Sequence, residues 1–327
     1  ADPQGRAPEV APGGGPMTTG VTVAVVGGGS VAKELGKKGT ASDLTLFNEV
    51  HDGHAITLVE PTQFPEKFPP LVAALSMADR ALLVVPELSR PVAEAIATTE
   101  VVEVPTTVVP GPGVGDAELD RALKGGRLQS AERRPLDLPH LRELVESWTA
   151  PVVDGPVLVA LDHAFPVKGV GAVALGVVRR GTLRAHEKLR LWPTPKLVEV
   201  RSIQVHDIDR KDAGCGERVG VALRGVEADE LERGQVLAPE GALREGTRLE
   251  GGPLARCRYY RGDAGVGARV HLGIGLQAVP GTLEEVGAGR VVATTDRPVV
   301  HAPGTPVIVM DLSVPAGPRI VGKFALA

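Results

Sequence analysis

The chain of 327 residues is long enough for two or three domains with sizeable cores. Its two cysteines, Cys215 and Cys257, exclude a disulfide framework or a cysteine zinc site, and it has no apolar run of roughly 18 residues to span a bilayer. The formal net charge of −4 hides an asymmetry, 12 basic against 18 acidic residues over 17–151 and 9 against 6 over 246–327. A polyanion is therefore expected on the C-terminal side, and an aromatic content of 3% disfavours a base-stacking platform for single strands.

Residues 1–16, ADPQGRAPEVAPGGGP, are rich in Pro and Gly and nearly free of large apolar groups. They are expected to form a disordered leader or tag outside the fold, with Met17 as a natural start. From there strands alternate with helices. VTVAVV (21–26), AITLV (55–59) and ALLVV (81–85) read as buried strands. Residues 69–79 and 91–100 read as helices with Pro near the start, and 116–124 and 137–148 as two more. Asp137 is the expected N-cap of the last, with Pro139 in its first turn. This alternation predicts a parallel sheet covered on both faces over 17–150.

After Thr149 the pattern changes to short strands and Gly/Pro turns. Val173 to Val178 is continuously apolar, as in a strand buried on both sides. Leu189, Leu191, Val198, Val200, Ile203 and Val205 alternate or nearly alternate with charged residues, as half-buried strands do. A small closed β-barrel is expected over 151–245. Beyond it, residues 254–260, 266–274, 290–294, 306–312 and 318–326 read as strands of a second antiparallel barrel over 246–327.

Two blocks carry a resemblance. Leu161 to Gly181, LDHAFPVKGVGAVALGVVRRG, is similar to the start of domain 2 in the translational GTPases that carry aminoacyl-tRNA. The likeness is strongest to the selenocysteine-specific elongation factor and lower to elongation factor Tu and the gamma subunit of archaeal initiation factor 2. Ala213 to Leu237, AGCGERVGVALRGVEADELERGQVL, resembles the family's Gly-Asp-x-Val-Gly…Leu-Arg-Gly…Arg-Gly-x-Val-Leu pattern at matching spacing. RIVGKFALA at the end resembles the last strand of domain 3. The resemblance implies an α/β fold, a degenerate P-loop G domain, followed by two antiparallel β-barrels.

The nucleotide signatures depart from the family one by one. A P-loop cradles phosphates with backbone N–H groups, meets them with a Lys and holds Mg²⁺ through a hydroxyl. GGGSVAKE keeps Gly27 and Lys33, but Ala32 replaces the second Gly and Glu34 the hydroxyl residue. Either a phosphate still docks there, or the loop is a relic turn with Lys33 solvated. LGKKGTASDLTLF resembles the stretch whose Thr meets Mg²⁺; that Thr falls at Ala41, with Thr40 beside it. From Gly27 to Asp43 the chain is too short for the family's first helix and first switch. Glu60 stands for the Asp, and Phe64 for the water-positioning His, of Asp-x-Pro-Gly-His. VVPGPG (108–113) stands for the guanine-reading Asn-Lys-x-Asp. The resemblance thus implies GTP or GDP, weakly held through Gly27, Lys33, Glu34, Thr40 and Glu60, with Mg²⁺ at Glu34 as a hard oxygen donor. No catalytic residue is assigned.

Carried over residue by residue, the family's aminoacyl pocket falls on Asp162, His163, Leu175 and Arg218, with Gln204 where the terminal adenosine is met. His163 and Arg218 bring two potential cations to one pocket, which suits a compact ionisable aminoacyl group, Cys or Sec. Pairing of Arg218 with the neighbours of Glu217 or with Asp162 is the competing reading. Arg256, Arg258 and Arg261 open domain 3 either toward tRNA phosphates or as a solvated strand face. The implied protein is a cytoplasmic, monomeric, elongation factor-like binder of aminoacyl-tRNA that acts with the ribosome and has no membrane contact. Two alternatives stay open: a working GTPase that uses Glu34 and Glu60, and a scaffold that keeps the shape for protein contacts.

Overall fold

The computed structural model describes residues 20–28, 30–315 and 317–327; the leader expected over 1–16, and Met17, lie outside the described residues. VTVAVV forms β1 (Val21–Val26), all six residues buried. There follow α1 (Val31–Leu35), β2 (Lys37–Ala41), β3 (Thr45–His51), β4 (His54–Glu60), α2 (Pro69–Ser76), β5 (Arg80–Val85), α3 (Arg90–Val102), β6 (Thr106–Pro110), α4 (Asp116–Leu123), β7 (Glu132–Arg133) and α5 (Leu138–Glu146). Their strands make one sheet in the order β2-β3-β4-β1-β5-β6-β7. β1 runs parallel to both β4 and β5. Because side chains alternate along β1, each face needs its own cover. Val21, Val23 and Val25 pack with Val31, Leu35, Leu141 and Val145 of α1 and α5. Ala24 and Val26 pack with Leu71, Leu75, Val92 and Ile96 of α2 and α3. Pro at the first turn of α2, α3 and α5 supplies a preset φ where no intrahelical N–H is needed. Asp137 caps α5 by accepting the His140 N–H at 3.2 Å.

One region of this first sheet differs from the sequence expectation. No strand was expected over 37–51, yet α1 stops after five residues and the chain forms the antiparallel β2–β3–β4 meander. The meander buries Leu46 and Phe47 while β2 stays largely exposed at the sheet edge.

The middle sheet comprises β8 (Leu158–Val167), β9 (Gly171–Arg180), β10 (Leu183–Arg184), β11 (Lys188–Trp192), β12 (Lys196–Val205), β13 (Ile208–Arg210), β14 (Asp212–Ala213), β15 (Arg218–Arg224) and β16 (Val236–Ala238). The order β11-β16-β8-β9-β15-β12 closes through a β11–β12 pairing into a six-stranded barrel, with β13 added on β12 and β10–β14 as a separate short pair. Val159, Leu161, Ala174, Leu189, Val200 and Val221 fill it. Gly176 permits a close approach of β8 and β9: a Cβ there meets the Ala160 carbonyl oxygen at 2.5 Å. The apolar run of β9 serves two surfaces. Ala172, Ala174 and Val178 enter the barrel, whereas Val177 packs with Leu44, Leu46 and Val59 of the first sheet.

The last sheet comprises β17 (Arg244–Gly251), β18 (Ala255–Arg256), β19 (Arg269–Ile274), β20 (Gln277–Val286), β21 (Val291–His301), β22 (Pro306–Met310) and β23 (Ile320–Ala325). Its order is β17-β21-β20-β19-β22-β23-β18. β17 pairs with β21, and the same stretch of chain then meets β23 through the Gly251–Leu326 bridge and β18, which curls the sheet into a half-barrel where a second full barrel was expected. The strand expected over 254–260 is only two residues long, because Cys257 to Tyr260 turn away from the ladder. Leu272, Val309 and Phe324 of this half-barrel share a core with Leu71 and Ile96 of α2 and α3. No helix among the described residues is long and apolar enough to cross a membrane.

Candidate functional site

β1 and β4 lie side by side in parallel, which brings Gly27 and Glu60 to the carboxyl edge of the sheet, where open α/β sheets take ligands. Gly27 has φ +99°, and a Cβ there meets the Val84 carbonyl oxygen at 2.1 Å, so the tight turn requires glycine. Beyond it α1 is a single turn. Arg142 of α5 closes it off by donating to the Glu34 and Leu35 carbonyls at 2.7 and 3.1 Å. Lys33 and Glu34 are exposed. Pro86 sits between the loops that follow β1 and β6. A Cβ on Gly28 lies 3.2 Å from Pro86 Cγ, and one on Gly111 lies 2.9 Å from Pro86 Cα. Burial raises the Glu60 carboxyl above its ordinary range. Among the described residues no group of three or more His, Cys, Asp and Glu side chains converges as a metal site. These residues do not fit Mg-GTP held as a P-loop holds it: the helix is one turn, the magnesium hydroxyl is absent, and a carboxylate adjoins the lysine.

A second region is open. A cleft of about 1050 Å³ lies between the β2–β3 pair and the middle barrel. Lys37, Lys38 and Thr40 line one side, and Leu175, Gln204, His206 and Arg218 the other, with Phe165, Val170 and Val173 as an apolar rim. Arg218 forms a fork with Asp162, Nε to Oδ2 at 3.1 Å and Nη2 to Oδ1 at 2.7 Å. Both side chains are buried, 8% and 1% exposed, so the pair carries no net charge toward the cleft. A bulge in β8 between Leu161 and His163 makes this possible: it puts two consecutive residues, Leu161 and Asp162, under cover. Arg218 Nη1 is not used by Asp162. His163 does not line the cleft; its Nδ1 lies 3.8 Å from Asp162 Oδ1. Gln204 donates to Asp209 Oδ1 at 2.9 Å across the β12–β13 hairpin.

The domain 3 arginines are more dispersed. Arg256 donates to the Ala264 carbonyl at 2.7 Å and Arg261 to the Arg258 carbonyl at 3.0 Å. Arg258 stacks on Tyr259 with its carbon 4.4 Å from the ring centre, and it reaches the Lys124 and Leu123 carbonyls at the end of α4. It therefore joins the last half-barrel to the first sheet, while Arg256 and Arg261 stay exposed.

A family model described as elongation factor Tu domain 2 matches residues 171–238. Over 312 residues the chain is 33% identical to an uncharacterized protein of Methanocaldococcus jannaschii, covering 93% of this chain and 99% of that one. Over 275 residues it is 28% identical to the selenocysteine-specific elongation factor of the same organism, covering 77% of this chain but 59% of the factor. Among solved structures, translation elongation factor SelB from Methanococcus maripaludis in complex with the GTP analogue GPPNHP superposes with a TM-score of 0.79 at 21% identity, covering 94% of this chain and 78% of that one. A bacterial selenocysteine-specific elongation factor, EF-Sec, gives 0.79 at 16%, covering 94% and 58%. The chain belongs to one family with the uncharacterized Methanocaldococcus protein, and its middle barrel and overall fold are like those of elongation factor Tu and SelB. The solved relatives share its three-domain fold.

Within this family frame the sequence reading missed three residues of the cleft. Lys37 and Lys38 lie on β2, which was not expected to form. His206 sits with Asp207 in the two-residue turn between β12 and β13, both at positive φ, +48° and +64°. Burial, with the Arg218 charge added, pushes the His206 imidazole down to about 4, so it faces the cleft neutral. His-Asp is not a usual signal for such a turn, and only the elongation-factor barrel topology reveals that it ends at the pocket.

Proposed function

We propose that this relative of the translation elongation factors binds aminoacyl-tRNA and seats the acylated 3′ end in the cleft between β2 and the middle barrel. The observation that carries the reading is the buried Asp162–Arg218 fork at the wall of an open cleft that Leu175, Gln204 and two lysines also line. Leu175 offers an apolar seat and Gln204 a hydrogen-bonding group for the terminal nucleoside. Lys37 and Lys38 supply the positive charge that a backbone phosphate needs. Arg218, held by Asp162, leaves both N–H groups of Nη1 free of that carboxylate, charge-assisted donors suited to a compact ionisable side chain, cysteine or selenocysteine. Arg256 and Arg261 are exposed for the acceptor arm. The protein works as a monomer with the ribosome as a further partner. Nucleotide binding is weak or vestigial, and with Phe64 in place of the water-positioning His there is no hydrolysis.

The test is protection of the aminoacyl ester from spontaneous hydrolysis across a panel of charged tRNAs. Cys- and Sec-tRNA are expected to be protected ahead of Asp- or Glu-tRNA. Equal protection of Cys-, Phe- and Val-tRNA overturns the side-chain preference, and no protection of any at low salt overturns the tRNA reading.

A further inference from the structure

β2 is the edge strand of its sheet and pairs only with β3, yet together with β3 it forms one wall of the cleft. Its register on β3 breaks between Lys38 and Ala41, so the ladder alone holds it loosely. What fixes its end is a residue of the other domain. Arg233, on the turn that leads into β16, forks onto Asp43 with both distances 2.6 Å. The same guanidinium reaches Ser42 Oγ at 3.2 Å and the Asp162 carbonyl oxygen at 3.4 Å. Arg233 thus touches the end of the β2 wall and the backbone of the residue that orients Arg218 on the opposite wall. Burial raises the Asp43 carboxyl, but the hydrogen bonds and charge of Arg233 outweigh it and hold the group below its ordinary range. The contact therefore persists across the neutral range.

We propose that Arg233 is a positioning residue that sets β2 against the Asp162–Arg218 wall, so the cleft is assembled by the chain itself and takes acylated tRNA with no nucleotide bound. The proposal rests on the tRNA reading above, but the clamp can be tested apart from it.

The experiment has two arms. Binding of charged tRNA to the full chain is measured without nucleotide for the wild type, Arg233→Ala, Asp43→Ala, the double variant, and the exchange Arg233→Asp with Asp43→Arg. A clamp predicts that each single variant loses roughly tenfold, that the double variant loses no more than either, and that the exchange recovers most of the affinity. If Arg233 instead holds a tRNA phosphate, Asp43→Ala tightens binding by freeing it, and Arg233→Ala lowers the salt dependence; either result overturns the proposal. The second arm uses spin labels at Lys38→Cys and Ser202→Cys, both exposed, the two native cysteines being buried. One narrow distance is expected, unchanged by GTP and broadened in Arg233→Ala. A distance that changes with GTP, or that Arg233→Ala leaves narrow, overturns the clamp. Failure of every variant and the wild type to bind tRNA, with the distances as expected, retires the tRNA reading and leaves the clamp standing.

Discussion

The carboxyl edge of the first sheet and the cleft of the middle barrel lie on neighbouring parts of one molecule and are built in opposite ways. At the edge, Gly28 and Gly111 both pack on Pro86, the helix that should face a phosphate is one turn long, and Lys33 and Glu34 are exposed. At the cleft, Asp162 and Arg218 are buried, paired and oriented, and the space is left open. Buried ionic groups are costly, so a fold keeps them where geometry demands it. The difference indicates which of the two regions is organised around a ligand.

The largest effect should come from breaking the cleft's own ion pair. Asp162→Ala leaves Arg218 buried without a partner, which costs about 3–5 kcal/mol. Arg218→Ala leaves Asp162 in the same position. The double variant is expected to cost well under the sum of the two, since it strands no charge. Chemical unfolding of all four proteins measures this. A loss below about 1 kcal/mol in either single variant shows that the pair is not the organising feature of the cleft.

That pair also shows where the sequence was legible. The barrel was readable because Leu189, Leu191, Val198 and Val200 alternate with charge. Asp162 and Arg218 were picked out as neighbours in one pocket, but their commitment to each other depends on a bulge that joins positions 56 apart. β2 was not legible, because an exposed edge strand carries no apolar alternation. The overlong strand at 254–260 failed for the opposite reason. Arg-Cys-Arg-Tyr-Tyr has strand-like residues, but Tyr260 leaves the ladder to donate to Asp311 at 2.6 Å, and Arg258 leaves it for α4.

A smaller effect sharpens the comparison through pH. His206 is held near 4 in the folded chain against an ordinary value of 6.5. Between those values the unfolded chain binds a proton that the folded chain does not, so stability falls as pH drops through that window. The loss attributable to His206 is on the order of 3 kcal/mol. His206→Gln removes it, so the wild type should lose stability relative to the variant by that amount as pH falls from 7 to about 4. A constant difference between them across the window shows that the imidazole is solvated and does not face a covered cleft wall.

The smallest effects belong to the edge of the first sheet. Lys33 is exposed beside Glu34 on a one-turn helix, so it contributes at most one solvent-screened contact to a phosphate. Lys33→Ala is expected to lower any residual GTP affinity by about tenfold, the equivalent of one charged hydrogen bond. Removal of Mg²⁺ should matter less still. The family's metal hydroxyl is missing, and Glu34, the one side chain at its position, lies in no cluster of ligands among the described residues. Titration calorimetry with GTP, with and without a chelator, reads both quantities. If GTP binds tightly and releases when Mg²⁺ is withdrawn, the loop holds a working metal–nucleotide site, and the contrast between a closed edge and an open cleft fails at its first half.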